Sequence, residues 1–482
     1  MREAGILLPI FSLPSRRGIG SLGAEAREFI DFLSRCGQSV WQILPIGPTS
    51  FGDSPYQSPS AFAGNPYFIS LDTLAEQGLL YPEELACYEE GTIDYGALFL
   101  ERIDLLRRAW SRFDQKDERY RNFCRENQSW LRDYAVFMVH KEKNGYRSLD
   151  CWNTIPVGNG AETEEELSFW YFVQHQFYTQ WDEMHAYAAS RGVKILGDIP
   201  IYVSADSAEV LFSPENFLLD ARHMPTLVAG CPPDDFAPAG QKWGNPLYNW
   251  ARLRKDGYAF WVRRLAHAMR CFDMVRIDHF RGFCSFYAIP AAAPDARGGH
   301  WEDGPGLSLF EALRKALPQA KIIAEDLGFL DERVRKMLSE IGCPGMKVLQ
   351  FAFDSREESD YLPHNYTANS IVYTGTHDND TTIGWYSQLN RRDKKFAKKY
   401  LNIRTNKDVQ WEFIRAAMAS VSDTCVIPMQ DYLGLGAEAR INTPSTLGNN
   451  WKWRMLDGAF TDELAERIYE MTKLYGRLQK KK

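Results

Sequence analysis

The sequence predicts an α/β fold, a (β/α)8 TIM barrel, on three observations. It contains eight short apolar runs, amphipathic helical stretches lie between many of them, and each run ends on polar residues. In chain order the runs are GILLPIFSLPS (5–15), VWQILPIGP (40–48), VKILGDIP (193–200), MVRIDHF (274–280), KIIAEDLG (321–328), MKVLQFAFD (346–354), SIVYTGTHDN (370–379) and CVIPMQDYLG (425–434). Their near-continuous apolar character suits strands buried on both faces, as in a parallel sheet. The helical stretches include FWVRRLAHAM (260–269), LSLFEALRKAL (307–317), DERVRKMLSEIG (331–342) and VQWEFIRAAMASV (409–421). Asp331 is placed to cap the third of these and Gly342 to stop it. Strands alternating with helices argue for α/β architecture. Eight strands favour a closed barrel, with a doubly wound open sheet as the alternative.

The runs are unevenly spaced. Residues 72–190, between the second and third strands, read as a mainly helical insertion (ELACYEE, LERIDLLRRAW, LRDYAVFMVHKEK). Residues 201–257, between the third and fourth, read as a loop-rich one (CPPDDFAPAGQKWGNPLYNW). The strand series resumes after each, so residues 1–482 are expected to form a single catalytic barrel domain. No internal repeat or low-complexity segment argues for a solenoid or propeller.

Composition narrows the function classes. Of 482 residues, 45% are hydrophobic and the net charge is −7, so a large core is expected and a basic field for nucleic acid or anionic membrane is not. The nine cysteines are dispersed without a CxxC pair or zinc spacing, which reads as reduced thiols and a cytoplasmic location. The N-terminal apolar run is broken by Pro9 and lacks the form of a signal peptide, and no window reaches the roughly 20 apolar residues of a membrane helix. Phosphate-cradling and dinucleotide glycine patterns are missing, as are a G-x-S-x-G elbow and a DxDxDG-type loop.

The chemistry collects at strand ends. In a (β/α)8 barrel these converge on one mouth. Asp198, Asp278, Glu325, Asp378 and Asp431 each sit at or just beyond such an end. An Asp after a strand also caps a following helix or makes an Asx turn, and Asp431 is assigned to that structural group. Carboxylates facing each other across a mouth are the parts of glycoside chemistry, one attacking or stabilising and one donating and then accepting a proton. Arg276 lies two residues before Asp278, on the same side of a strand, where it keeps that carboxylate ionised. Its alternative use is a structural salt bridge. His377, beside Asp378, is expected at a ligand.

The same residues carry a family resemblance. GILLPIFSLPSRRGIGSLG, GDSPYQSPSAFAGNPYFIS, GDIPIYVSADSAEV, QKWGNPLYNW, RIDHFRGF, AEDLG, THDN and INTPSTLGNNWKWR, in this order and over almost the whole chain, resemble the amylomaltases, the 4-α-glucanotransferases of the α-amylase clan. The resemblance implies a barrel with insertions and no separate C-terminal β-domain. It implies Asp278 as nucleophile, Glu325 as general acid/base and Asp378 as the group holding sugar hydroxyls. It implies Tyr56 stacked on the sugar at the cleavage site, with Asp198, Arg276 and His377 lining that subsite. Gln241 and Trp243 would lie over the acceptor side and Asn450 near the glucan path. One departure shows: PSTLGNNW (444–451) has Ser445 and Asn449 where the family pattern has glycines.

The implied reaction is a retaining double displacement through a covalent glucosyl-enzyme, with a second glucan's 4-hydroxyl as acceptor. The two carboxyls would stand about 5–5.5 Å apart, with the acid's pKa raised. No metal or organic cofactor is expected. The expected partners are maltooligosaccharides and α-1,4-glucans, for a monomer or weak homodimer. Two other readings are a hydrolase of the same clan and a catalytically inactive glucan-binding scaffold; the second is disfavoured because Asp278, Glu325 and Asp378 are all present.

Overall fold

The structure is a computed structural model describing residues 2–50, 52–89, 91–152, 162–233, 237–328 and 330–479. Twelve strands are numbered in chain order: β1 Glu3–Leu7, β2 Val40–Gln42, β3 Lys194–Pro200, β4 Leu227–Cys231, β5 Gln241–Pro246, β6 Met274–Asp278, β7 Ser285–Pro290, β8 His300–Asp303, β9 Ile322–Ala324, β10 Gly345–Val348, β11 Ser370–Tyr373 and β12 Thr424–Pro428. Eight close into a parallel barrel in the order β1-β12-β11-β10-β9-β6-β3-β2. Each of the eight apolar runs supplies one of these strands. The barrel closes where β1 lies parallel to β12, with Glu3 opposite Thr424 and Leu7 opposite Pro428.

The four helical stretches expected at 260–269, 307–317, 331–342 and 409–421 all form, and the third has the ends expected of it. The stretch at 331–342 folds as Glu332–Ile341, with the Asp331 carboxylate accepting from Val334 N–H and Gly342 stopping it at φ 74°. That left-handed stop is favourable for glycine, which has no Cβ to clash. Between β2 and β3 the longest helix, Glu164–Ser190, starts in a capping box of Thr163 and Glu166. Phe169, Trp170, Phe177 and Trp181 of this helix are fully buried and share one continuous core with the barrel's Trp41. Burying each such ring contributes roughly 2–3 kcal/mol. Helices Tyr95–Arg112, Glu118–Glu126 and Gln128–Lys143 complete this region. Among the described residues no helix is long and apolar enough to cross a membrane.

Two features differ from the sequence expectation. ELACYEE does not form a helix: within Glu84–Glu89 only a short 3-10 turn over Pro82–Glu84 is present, and Glu90 lies outside the described residues. The backbone groups are used elsewhere. Arg17 donates to the Ala86 carbonyl at 3.0 Å, Arg454 donates to that of Glu89 at 2.6 Å, and Tyr88 N–H reaches Arg16 O at 2.9 Å. The second feature is a four-stranded antiparallel sheet in the order β5-β4-β7-β8, built from segments on either side of β6. It carries the QKWGNP strand beside the end of β6.

Candidate active site

β3 and β6 run side by side with Asp198 paired to Arg276 and Pro200 to Asp278. Gly197 leaves room for the Phe272 ring just before β6: a Cβ there would lie 2.2 Å from it. Arg276 is buried, and its guanidinium is shared. Nη1 donates to both oxygens of Asp198, at 2.8 and 2.7 Å, and Nη2 donates to Asp278 Oδ1 at 2.8 Å. Asp198 is 1% exposed, whereas the Asp278 side chain is 29% exposed and is therefore the member of the pair open to a ligand. Burial pushes the Asp198 carboxyl up from its ordinary range, and Arg276 opposes that shift.

Glu325 follows β9 and is strapped to the end of β6. Its N–H reaches Ile277 O at 3.1 Å and its carbonyl accepts from Phe280 N–H at 3.0 Å. Its carboxyl accepts from two main-chain donors, His279 N–H at 2.6 Å and Leu327 N–H at 2.9 Å. Burial and the neighbouring Asp278 charge nevertheless push its pKa up from 4.5 to about 8, against Arg276 and those two N–H groups. Near neutral pH this carboxyl holds a proton.

Asp378 lies beyond β11 with its side chain 43% exposed. Asn442 Nδ2 donates to Asp378 Oδ1 at 2.6 Å, and Arg440 donates to its carbonyl at 2.7 Å. His377 is buried; its Nε2 lies 3.0 Å from the Tyr56 hydroxyl and 3.3 Å from Asp378 Oδ1. Tyr56 also donates to Asp198 Oδ2 at 2.7 Å, and its ring stacks on His377 at 5.3 Å and 16°. The Tyr56 loop is anchored by Glu209, whose carboxylate accepts from Ala61 N–H at 3.0 Å and Ser60 Oγ at 3.1 Å.

Trp243 stands on β5. Its indole N–H donates to Gln241 Oε1 at 3.0 Å, and its ring meets His279 edge-on at 4.8 Å and 88°. Gln57 ties this strand to the Tyr56 loop through Asn245 Oδ1 at 2.9 Å.

Of the residues expected at the site, Tyr56, Asp198, Arg276, Asp278, His377 and Asp378 thus form one connected polar cluster. Glu325 joins it through the end of β6, and Trp243 with Gln241 borders it through His279. Asn450 is different. Its amide closes its own loop, accepting from Thr443 N–H at 3.0 Å and donating to Thr446 O at 2.9 Å. Asp431 is buried and accepts from Thr374 Oγ1, Thr382 N–H and Thr382 Oγ1, the structural use expected of it. Sequence reasoning missed Asn442 and Arg440, which brace Asp378, and the main-chain role of His279. Asn442 stands inside the quoted INTPSTLGNNW motif and His279 inside RIDHFRGF, so position in a motif was the available signal.

A family model described as 4-alpha-glucanotransferase matches residues 8–459. The chain belongs to this 4-alpha-glucanotransferase family. It is 44% identical over 485 residues to the 4-alpha-glucanotransferase of Clostridium butyricum, covering 98% of this chain and 100% of that protein. The Thermus thermophilus 4-alpha-glucanotransferase is 43% identical over 498 residues, covering 99% of each. Among solved structures, an amylomaltase from Streptococcus agalactiae in complex with acarbose superposes with a TM-score of 0.96 at 39% identity, covering 99% of this chain and 100% of that one. The protein is thus an enzyme with 4-alpha-glucanotransferase activity on α-1,4-glucans.

Proposed function

We propose that the site performs glucan transfer by a retaining double displacement. Asp278 attacks the anomeric carbon of a donor maltooligosaccharide while Glu325 protonates the leaving glycosidic oxygen. The 4-hydroxyl of a second glucan, or of glucose, then displaces Asp278 as Glu325 takes its proton. Two inversions leave the new linkage α. The observation that carries this reading is the different surroundings of the two carboxyls. Asp278 is held by the Arg276 guanidinium, whereas Glu325 is pushed to about 8 and keeps its proton. A charged nucleophile beside a protonated acid is the starting state that the reaction requires.

In this reading Asp378, held by Asn442, accepts sugar hydroxyls. Tyr56, Asp198, Arg276 and His377 shape the donor subsite. The exposed face of Trp243, with its N–H fixed by Gln241, receives the acceptor sugar. Asn450 acts by holding its loop in shape. Protein carboxyls supply both nucleophile and proton, so no metal or cofactor is required. The segments 72–190 and 201–257 are insertions on one catalytic barrel. The acarbose complex of the Streptococcus agalactiae relative supports an oligosaccharide as ligand.

Incubation with maltotriose tests the reading. A ladder of longer maltodextrins plus glucose is expected. Small sugars alone would identify a hydrolase, and no change would identify a scaffold.

A further inference from the structure

We propose that His279 is a positioning residue for Glu325: its left-handed backbone aims a main-chain N–H at the Glu325 carboxylate, and its imidazole locks that backbone against Trp243. This rests on the reading in which Glu325 is the acid/base.

β6 ends at Asp278, and the next residue departs abruptly from the extended conformation. His279 has φ 52° and ψ 47°. That region is costly for a residue with a Cβ, and non-glycine residues held there cluster at sites where the surroundings over-determine the backbone. Here three contacts do so. His279 N–H meets Glu325 Oε2 at 2.6 Å. Phe280 N–H meets the Glu325 carbonyl at 3.0 Å. The imidazole lies edge-on to Trp243 at 4.8 Å, and Trp243 is itself held by Gln241 and by Gln57, which donates to its carbonyl at 3.3 Å. Burial holds the imidazole down at about 4, so it meets Trp243 as a neutral ring.

The consequence is geometric and electrostatic. With Leu327 N–H on Oε1 and His279 N–H on Oε2, the carboxyl plane of Glu325 is fixed by main chain from two strand ends. The other charged or titratable groups facing it are Asp278 and Arg276 from β6 and Tyr361 from the segment after β10. Arg276 and the Leu327 and His279 N–H groups favour the anion, so losing the last raises the proton affinity of Glu325 and frees its plane.

Replacing the peptide N–H of residue 279 by an ester oxygen, with the α-hydroxy analogue of histidine, deletes the donor and keeps the ring. The readout is kcat/KM against pH for maltotriose, whose sugar leaving group needs protonation, and for α-glucosyl fluoride, whose leaving group needs little. The ester is expected to move the alkaline limb for maltotriose up by about one unit and lower its plateau about tenfold, with less than about twofold change for the fluoride. His279→Asn, which tolerates the left-handed region but loses the ring's contact with Trp243, should move the limb only part of the way, and His279→Val should move it as far as the ester does. An ester enzyme with the parent's limb and plateau overturns the proposal, as does a His279→Asn limb that moves as far as that of His279→Val. If His279→Val does not fold, the ester decides alone. Failure of the underlying reading is separate: Glu325→Gln would then retain maltotriose turnover.

Discussion

Arg276 donates from Nη2 to Asp278 Oδ1 at 2.8 Å while its Nη1 is closed on both oxygens of Asp198. One guanidinium thus serves an exposed carboxylate and a buried one. Lysine is a point charge on a flexible stem and cannot span both. Arg276→Lys is expected to lower turnover of α-glucosyl fluoride about 100-fold and stability by about 3 kcal/mol, because Asp198 is left incompletely paired. Turnover and a denaturant melt on the same preparation check both halves. A variant that matches the parent in either would separate the two uses of the arginine.

Asp278→Asn keeps the hydrogen-bonding shape and removes the attacking charge. The fold should persist while transfer falls about 1000-fold or more. Normal circular dichroism with near-normal disproportionation of maltotriose would remove Asp278 from the mechanism.

Glu325 links activity to pH and to stability with opposite consequences. Its folded pKa is raised from 4.5 to about 8, so the folded chain keeps a proton that the unfolded chain releases. Stability from this group is therefore full below about pH 4.5 and lost as pH rises towards 8. Glu325→Gln should abolish transfer from maltotriose yet melt higher than the parent at alkaline pH, by on the order of 1–2 kcal/mol, with little difference in acid. The parent's own alkaline activity limb should fall near pH 8. Melting curves of the two proteins across this range supply the test, and a parallel pair of profiles counts against it.

Trp243 borders the site through His279 and presents a half-buried ring. A stacked sugar excludes water as well as binding. Trp243→Ala is expected to reduce transfer from maltotriose more than formation of the covalent intermediate from α-glucosyl fluoride, with a higher hydrolysis-to-transfer ratio. Equal loss in both steps would mark the ring as an anchor for its own strand.

Ser445, a residue with a Cβ, adopts φ 64° in an exposed position. Ser445→Gly should stabilise the loop, by less than about 1 kcal/mol, since relief of left-handed strain is partly offset by glycine's larger unfolded-state entropy. Differential scanning calorimetry reads this directly. A lower melting temperature would mean that the serine hydroxyl contributes more than the strain costs.

The barrel was legible because strands buried on both faces cannot alternate polar and apolar residues, so each wrote a continuous apolar run. The placement of Asp278, Glu325 and Asp378 at or beyond strand ends was legible, and a carboxylate at the end of such a run has little packing value. The small antiparallel sheet left no comparable trace. Its strands LVAGC, QKWGNP, SFYAIP and HWED are short, and two contain glycine and two proline. Asn442 was opaque because its partner Asp378 is 64 residues away in sequence. His279 was opaque for a different reason: its contribution comes from a backbone N–H, which every residue except proline carries.

The seam of the barrel has a consequence for biosynthesis. β1 pairs with β12, and near that seam the fully buried Arg477 donates to the carbonyls of Glu3, Met418, Ser420, Ser422 and Asp423. One edge of β1 therefore waits on the ribosome until the last strand emerges, while β2 can cover the other early. The large helical segment between β2 and β3 is made during that wait. Ring closure is then a late, long-range event, and the exposed edge of β1 is where a nascent chain meets chaperones or other nascent chains.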